Sequence, residues 1–299
     1  MKTPKAINAT PNNNSSSNKI PPPSNPYGPL PALAVPNDGR SVISISYPKG
    51  EWTGEKRRGE SSKETSFPLF FFIEHPLLGF PFFFKKKIKF KIIPHPGSSN
   101  PGSSPVGGSQ FYALTSSLNL STATRVTLNY SVLFPLTYDF VKGGKLPGLY
   151  GGSEGCSGGN SASDCWSSRM MWRGQGLGEL YLYLPQASQD PSLCLVPPYS
   201  ECNSEYGISV GRGSFRFRRG AWNHISQTIQ LNSSPTSKDG GFIIRFEGQQ
   251  VVRFENKVFY PASFKGIFFS TFYGGHGQDW SPSSDQKSYF RDFSVSIDS

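Results

Sequence analysis

The segment RVTLNYSVLF places Val126, Leu128, Tyr130, Val132 and Phe134 at every second position. Apolar alternation with period two suits a pleated strand with one buried face and does not make a helical stripe. The same alternation returns in Phe215 and Phe217, in Ile225 and Ile229 of WNHISQTIQL, and in GIFFSTFYGG near the C-terminus. FIIRFEGQQVVRF reads as a hairpin turning at or near Glu247-Gly248. No long helix-period run interrupts these segments, and 32 glycines and 26 prolines punctuate them. The pattern predicts an all-β chain, one domain of two packed antiparallel sheets.

Both the N-terminus and one internal segment depart from this pattern. Residues 1–38 are rich in Asn, Ser and Pro with few large apolar side chains, which predicts a disordered tail or linker. The folded domain is expected over 39–299, with a first strand in SVISISYPKG, Ser41 to Gly50. Within it, residues 51–95 carry nine of the 24 phenylalanines and runs of a single residue type, unlike anything around them. Glu74, His75, Pro76 and Pro81 break the apolar part, so a membrane helix is a poor fit. The segment reads as an atypical insertion, either a disordered loop or a translated intron.

A net charge of +10 attracts polyanions of any kind. No zinc-finger spacing, RNP-like run or recognition-helix pattern points to nucleic acid. The four cysteines form two near pairs, Cys156 with Cys165 and Cys194 with Cys202, without a CxxC. Local disulfides pinning Gly/Ser- and Pro-rich loops are expected, and no metal or cofactor. Glycosylation acceptor patterns at Asn8, Asn119, Asn129 and Asn232 accord with an extracellular protein, although MKTPKAINATPNNN contains no signal-peptide core.

Chemistry concentrates in SSRMMWRGQGLGELYLYLP, Ser167 to Pro185. As a strand, it puts Ser167, Arg169, Met171 and Arg173 on one face; in the next, Tyr181 and Tyr183 oppose Leu180, Leu182 and Leu184. The leucines claim the core, so phenols and guanidiniums are expected side by side on faces that need not be buried. KGGKLPGLYGG reads as a glycine-rich loop presenting Lys142 and Lys145. His224 reads as structural, whereas His276 lies in a glycine-rich loop that could border a cleft.

The ordered motifs FVKGGKLPGLYGG, CSGG, CWSSRMMWR, GELYLYLP and GIFFSTFYGG resemble polysaccharide lyases of family 14 and their fungal relatives, over residues 41–50 and 103–299. The resemblance implies a jelly-roll β-sandwich that cleaves a polyuronate such as alginate or glucuronan by β-elimination. It assigns Lys145, Ser167, Arg169, Tyr181 and Tyr183 to catalysis, and Lys142, Arg173 and His276 become candidate substrate contacts. Proton removal beside a carboxylate needs cations against the developing charge, here Arg169 and Lys145. Base and acid fall to the two tyrosines, with phenol pKa values lowered by the cations, or to Lys145 as base. The expected partner is an acidic polysaccharide met by a secreted monomer. A glycoside hydrolase would need paired carboxylates across the cleft, which Asp139, Glu154, Asp164 and Glu179 do not form by spacing. A noncatalytic acidic-glycan-binding module or lectin is the alternative.

Overall fold

A computed structural model describes residues 42–47, 51–52, 103–104, 108–114, 118–275 and 278–298, all within the unit Asp38–Ser299. The expectations for residues 1–38, for most of the insertion and for His276 lie outside the described residues.

Among the described residues fifteen strands carry the fold. In chain order the first eight are β1 Ile43–Tyr47, β2 Glu51–Trp52, β3 Ser103–Ser104, β4 Ser109–Leu114, β5 Arg125–Leu133, β6 Gly143–Gly152, β7 Cys165–Arg173 and β8 Leu177–Tyr183. They are followed by β9 Glu201–Cys202, β10 Ile208–Arg216, β11 Trp222–Gln230, β12 Gly240–Phe246, β13 Gln249–Val258, β14 Phe264–Thr271 and β15 Gln286–Ile297. Helical structure among the described residues is limited to short 3-10 turns, such as Leu120–Thr122.

The strands make a six-stranded antiparallel sheet, β1-β15-β5-β11-β12-β13, and a seven-stranded one, β4-β14-β6-β7-β8-β10-β9. This is the jelly-roll sandwich expected of the chain. The predicted hairpin is present as β12 and β13, and Glu247 and Gly248 turn it with φ of 52° and 77°. β2 pairs with β3, so the chain leaves at Trp52 and returns beside it at Ser103.

The core lies between the two sheets. Val126, Leu128, Tyr130, Val132 and Phe134 meet Leu146, Leu149, Trp166, Met170, Trp172, Leu180 and Leu182 there. Polar side chains enter it in hydrogen-bonded pairs: Gln227 of β11 accepts from the Leu149 amide at 3.0 Å and from Ser168 Oγ at 3.1 Å, and the Tyr47 hydroxyl meets Ser288 Oγ at 2.7 Å. A buried amide of this kind is tolerated because its polar atoms are paired.

The expected loop over Lys142–Gly152 is instead a central strand, buried along nearly its whole length. Its glycines allow close strand approach: a Cβ on Gly148 would sit 2.0 Å from the Ser168 carbonyl oxygen. Its proline lies where the β6–β7 register shifts between Lys145 and Gly148, the irregularity in which a central strand accepts one. Tyr130 donates to the Pro147 carbonyl at 3.0 Å from the opposite sheet, and Gln227 holds the Leu149 amide just beyond.

Candidate active site

The outer face of the seven-stranded sheet carries the polar motifs. Arg169 pairs in register with Tyr181, Ser167 with Tyr183, and Met171 with both Lys145 and Glu179. Lys145, Ser167, Arg169, Tyr181 and Tyr183 therefore converge on one face of three adjacent strands. Their strand period turns them away from the leucines and tryptophans of the core.

The expectation that this face need not be buried is corrected. Arg169 is 1% exposed, Tyr183 4%, Lys145 7% and Tyr181 8%. The apolar groups on this face form small clusters separate from the main core: Tyr181, Tyr183 and Met171 with the Cys156–Cys165 disulfide, and Tyr112 and Tyr150 with Phe268. Local covering segments account for the burial. The disulfide-closed loop 153–164 lies against β7 and β8: Ser167 Oγ donates to the Cys156 carbonyl at 2.8 Å, and the Gly158 amide to the Tyr183 hydroxyl at 3.0 Å. The Gly207 amide donates to the Tyr181 hydroxyl at 3.1 Å, and Trp280 packs on the cluster from another loop.

The cations are held by distinct partners. Lys145 Nζ stands 3.2 Å from the centre of the Tyr181 ring and 3.0 Å from Met171 Sδ. Arg169 Nη1 donates to Ser270 Oγ at 3.0 Å, its guanidinium lies 4.6 Å from the Phe268 ring centre, and its Nε has no acceptor among the described residues. Arg173 reaches Glu179 at 2.7 Å. Lys142 is ion-paired with Asp279 and stands 5.8 Å from the Trp280 ring centre. His224 lies on the other sheet, with Nδ1 2.7 Å from Ser131 Oγ.

Two members of the constellation had no role at this site in the sequence reading, which weighed Glu179 only as a hydrolase carboxylate and did not name Arg212. Glu179 is fully buried, with one carboxylate oxygen on Arg173 and the other on Arg212 Nε at 2.7 Å. Arg212 comes from β10, far along the chain, and the only local signal for it was a glycine on either side.

Burial sets the protonation states. Lys145 is held well below the usual amine range, first by desolvation and then by the Arg169 and Arg173 charges. Its contact with the Tyr181 ring favours the cation, but the ring is one weak dipolar partner against full burial beside guanidiniums. The expected lowering of the phenols is corrected at Tyr181, which desolvation and Tyr183 push up to about 12 against the opposing pull of the Gly207 amide and Arg173. Desolvation raises the Glu179 carboxyl, yet Arg173, Arg212 and Ser209 together outweigh it and hold it below the ordinary carboxylate value. The face thus offers a lysine whose amine is pushed down, a phenol pushed up and a buried guanidinium.

A sandwich whose sheet face gathers these groups is the scaffold of a polysaccharide lyase. Residues 84–293, more than half of the chain, match the family model described as Polysaccharide lyase 14, and the chain belongs to that family. It is similar to the marine PL-14 alginate lyase from Aplysia kurodai, at 35% identity over 64% of this chain and 77% of that one, with a TM-score of 0.55. Alginate lyase vAL-1 from Chlorella virus shares the fold, at 20% identity over 86% of this chain and 85% of that one, with a TM-score of 0.59. No curated protein sequence matches the chain significantly.

Proposed function

We propose that this lyase cleaves an acidic polyuronate of the alginate or glucuronan type by β-elimination, outside the cell. The observation that carries the reading is the meeting of Lys145, Arg169, Tyr181 and Tyr183 on one sheet face, with the buried Arg169 Nε lacking an acceptor among the described residues. An unpaired buried donor costs about 1–3 kcal/mol, and a substrate carboxylate would satisfy it.

In the proposed reaction Arg169 binds the uronate carboxylate, so charge developing after loss of the C5 proton spreads onto a neutralised group. Neutral Lys145 takes that proton. The electron pair forms the C4–C5 double bond as the bond from C4 to the glycosidic oxygen breaks, and protonated Tyr181 supplies the proton to the departing oxygen. Tyr183, fixed by Gly158, hydrogen-bonds the sugar beside the carboxylate, and Ser167 holds the loop that fixes Tyr183. Solvent exchange then restores Lys145 and Tyr181. Two disulfides and a polymeric substrate favour an extracellular site of action.

The test is incubation with alginate, glucuronan and pectate while following ultraviolet absorbance of the 4,5-unsaturated sugar end. Lys145→Ala and Tyr181→Phe should each abolish that signal in a folded protein, and Tyr183→Phe should weaken it. A saturated reducing end would mean hydrolysis, binding without cleavage a lectin, and full activity in the first two variants would refute the assigned roles.

A further inference from the structure

The cationic face does not stop at the proposed reacting groups. Across the sheet, Arg169 of β7 and Tyr181 of β8 continue in register to Ser209 of β10 and Glu201 of β9, the sheet's last strand. Beside that row the β8–β10 register breaks between Val210 and Phe215, where Gly211 and Gly213 take φ of 64° and 89°. The bulge brings the Arg212 side chain onto the site face, to Ser209 Oγ at 3.1 Å and to Glu179. Arg212 lies two strands beyond β7, about 10 Å away, roughly the length of two pyranose rings.

Arg212 is held but not used up. Its Nε is on Glu179, which it shares with Arg173, and its Nη2 donates to Ser209 Oγ at 3.1 Å and reaches Glu201 at 3.5 Å on the exposed rim, a weak pairing. Nothing among the described residues accepts from its Nη1. Its guanidinium stands 4.9 Å from the ring centre of Tyr199, which is 49% exposed. Tyr199 sits inside the short loop closed by Cys194–Cys202, and its carbonyl accepts from the Arg212 amide at 2.7 Å, so the ring is pre-organised.

The geometry points to a distal uronate subsite at the β9 edge, where Arg212 binds a carboxylate and Tyr199 carries the face of a sugar about two residues from the cleaved bond. This rests on the polyuronate reading above and adds to it a direction: the polymer runs across the strands, from β6 toward β9. A charge-assisted, partly desolvated contact there favours long substrates over short ones.

The experiment measures kcat/KM on a ladder of oligouronates, from trimer to octamer, for the wild type, Arg212→Gln and Tyr199→Ala. Wild-type kcat/KM should climb with length, and each variant should lose about tenfold or more on the longest member relative to its own loss on the trimer. Tyr199→Ala changes an exposed side chain and keeps the test valid if Arg212→Gln disturbs Glu179. Equal proportional losses at all lengths, or none at any, overturn the subsite. A wild type that forms no unsaturated product from any polyuronate fails earlier and removes the parent reading as well.

Discussion

Lys145 Nζ lies 3.2 Å from the centre of the Tyr181 ring, with Arg169 in register beside that tyrosine on the next strand. A potential base and a potential acid thus share one buried patch, and burial drives them in opposite useful directions. The amine is pushed toward neutrality and the phenol toward retaining its proton. Paired groups with pKa values driven apart are how a site assigns base and acid near neutral pH.

Replacing Lys145 by methionine should separate stability from activity. Between the folded pKa of Lys145 and the ordinary value of 10.5, the unfolded chain binds a proton the native state does not, so stability rises with pH there and stands at a constant deficit below it. Lys145→Met removes that deficit. Thermal unfolding near pH 7 should show a gain of about 0.5–2 kcal/mol that fades toward pH 10.5, while kcat drops about 10²–10⁴-fold. A destabilised variant would mean that Lys145 is charged in the folded state.

Glu179→Gln leaves two guanidiniums facing an amide in a fully buried position. Denaturant unfolding should show a loss of about 3–5 kcal/mol. In the wild type the folded pKa of Glu179 lies below the ordinary 4.5, so its contribution is present above that value and lost as pH falls through the folded one. The variant should lack this acid-side decline. Because Glu179 also raises the Lys145 pKa, the rising limb of the wild-type pH–rate profile should move to lower pH in the variant.

Removing the Cys156–Cys165 bridge by the double Cys→Ser exchange frees a short loop, and chain-entropy arguments put the cost at about 2–3 kcal/mol. The same loop fixes the Tyr183 hydroxyl through Gly158 and meets Ser167 through the Cys156 carbonyl. Turnover should therefore fall even at temperatures where circular dichroism shows a folded protein. Unchanged kcat with lowered Tm would limit the bridge to stability.

Gly148→Ala tests the close approach of β6 and β7. Its Cβ would press on backbone, not on a side-chain tip, and nothing there yields cheaply. A loss of about 3 kcal/mol or more in unfolding free energy is expected, at the upper end for overpacking. A fully stable variant would show that β6 is free to move away from β7.

Several of these features were legible in the chain. The period-two alternation assigned Val126 to Phe134 and Leu180 to Leu184 to the core and put Arg169, Tyr181 and Tyr183 together on the opposite face, because strand geometry sorts neighbours without tertiary information. The near cysteine pairs formed the two local disulfides for a similarly local reason. KGGKLPGLYGG misled because glycine and proline signal turns, whereas here they let a central strand pass close beneath Ser168 and carry a register shift. That use depends on what lies across the strand.

By itself the sequence determined the fold class, the faces of its longer strands and the residue types brought to one of them, since each follows from side chains one or two positions apart. Only the tertiary structure decided that the face is buried, that burial pushes the Tyr181 phenol up and the Lys145 amine down, and that Arg212 joins from β10. Desolvation and charge act through space, and the partners that impose them stand on strands made neighbours by the sheet order β6-β7-β8-β10-β9, not by their spacing in the chain.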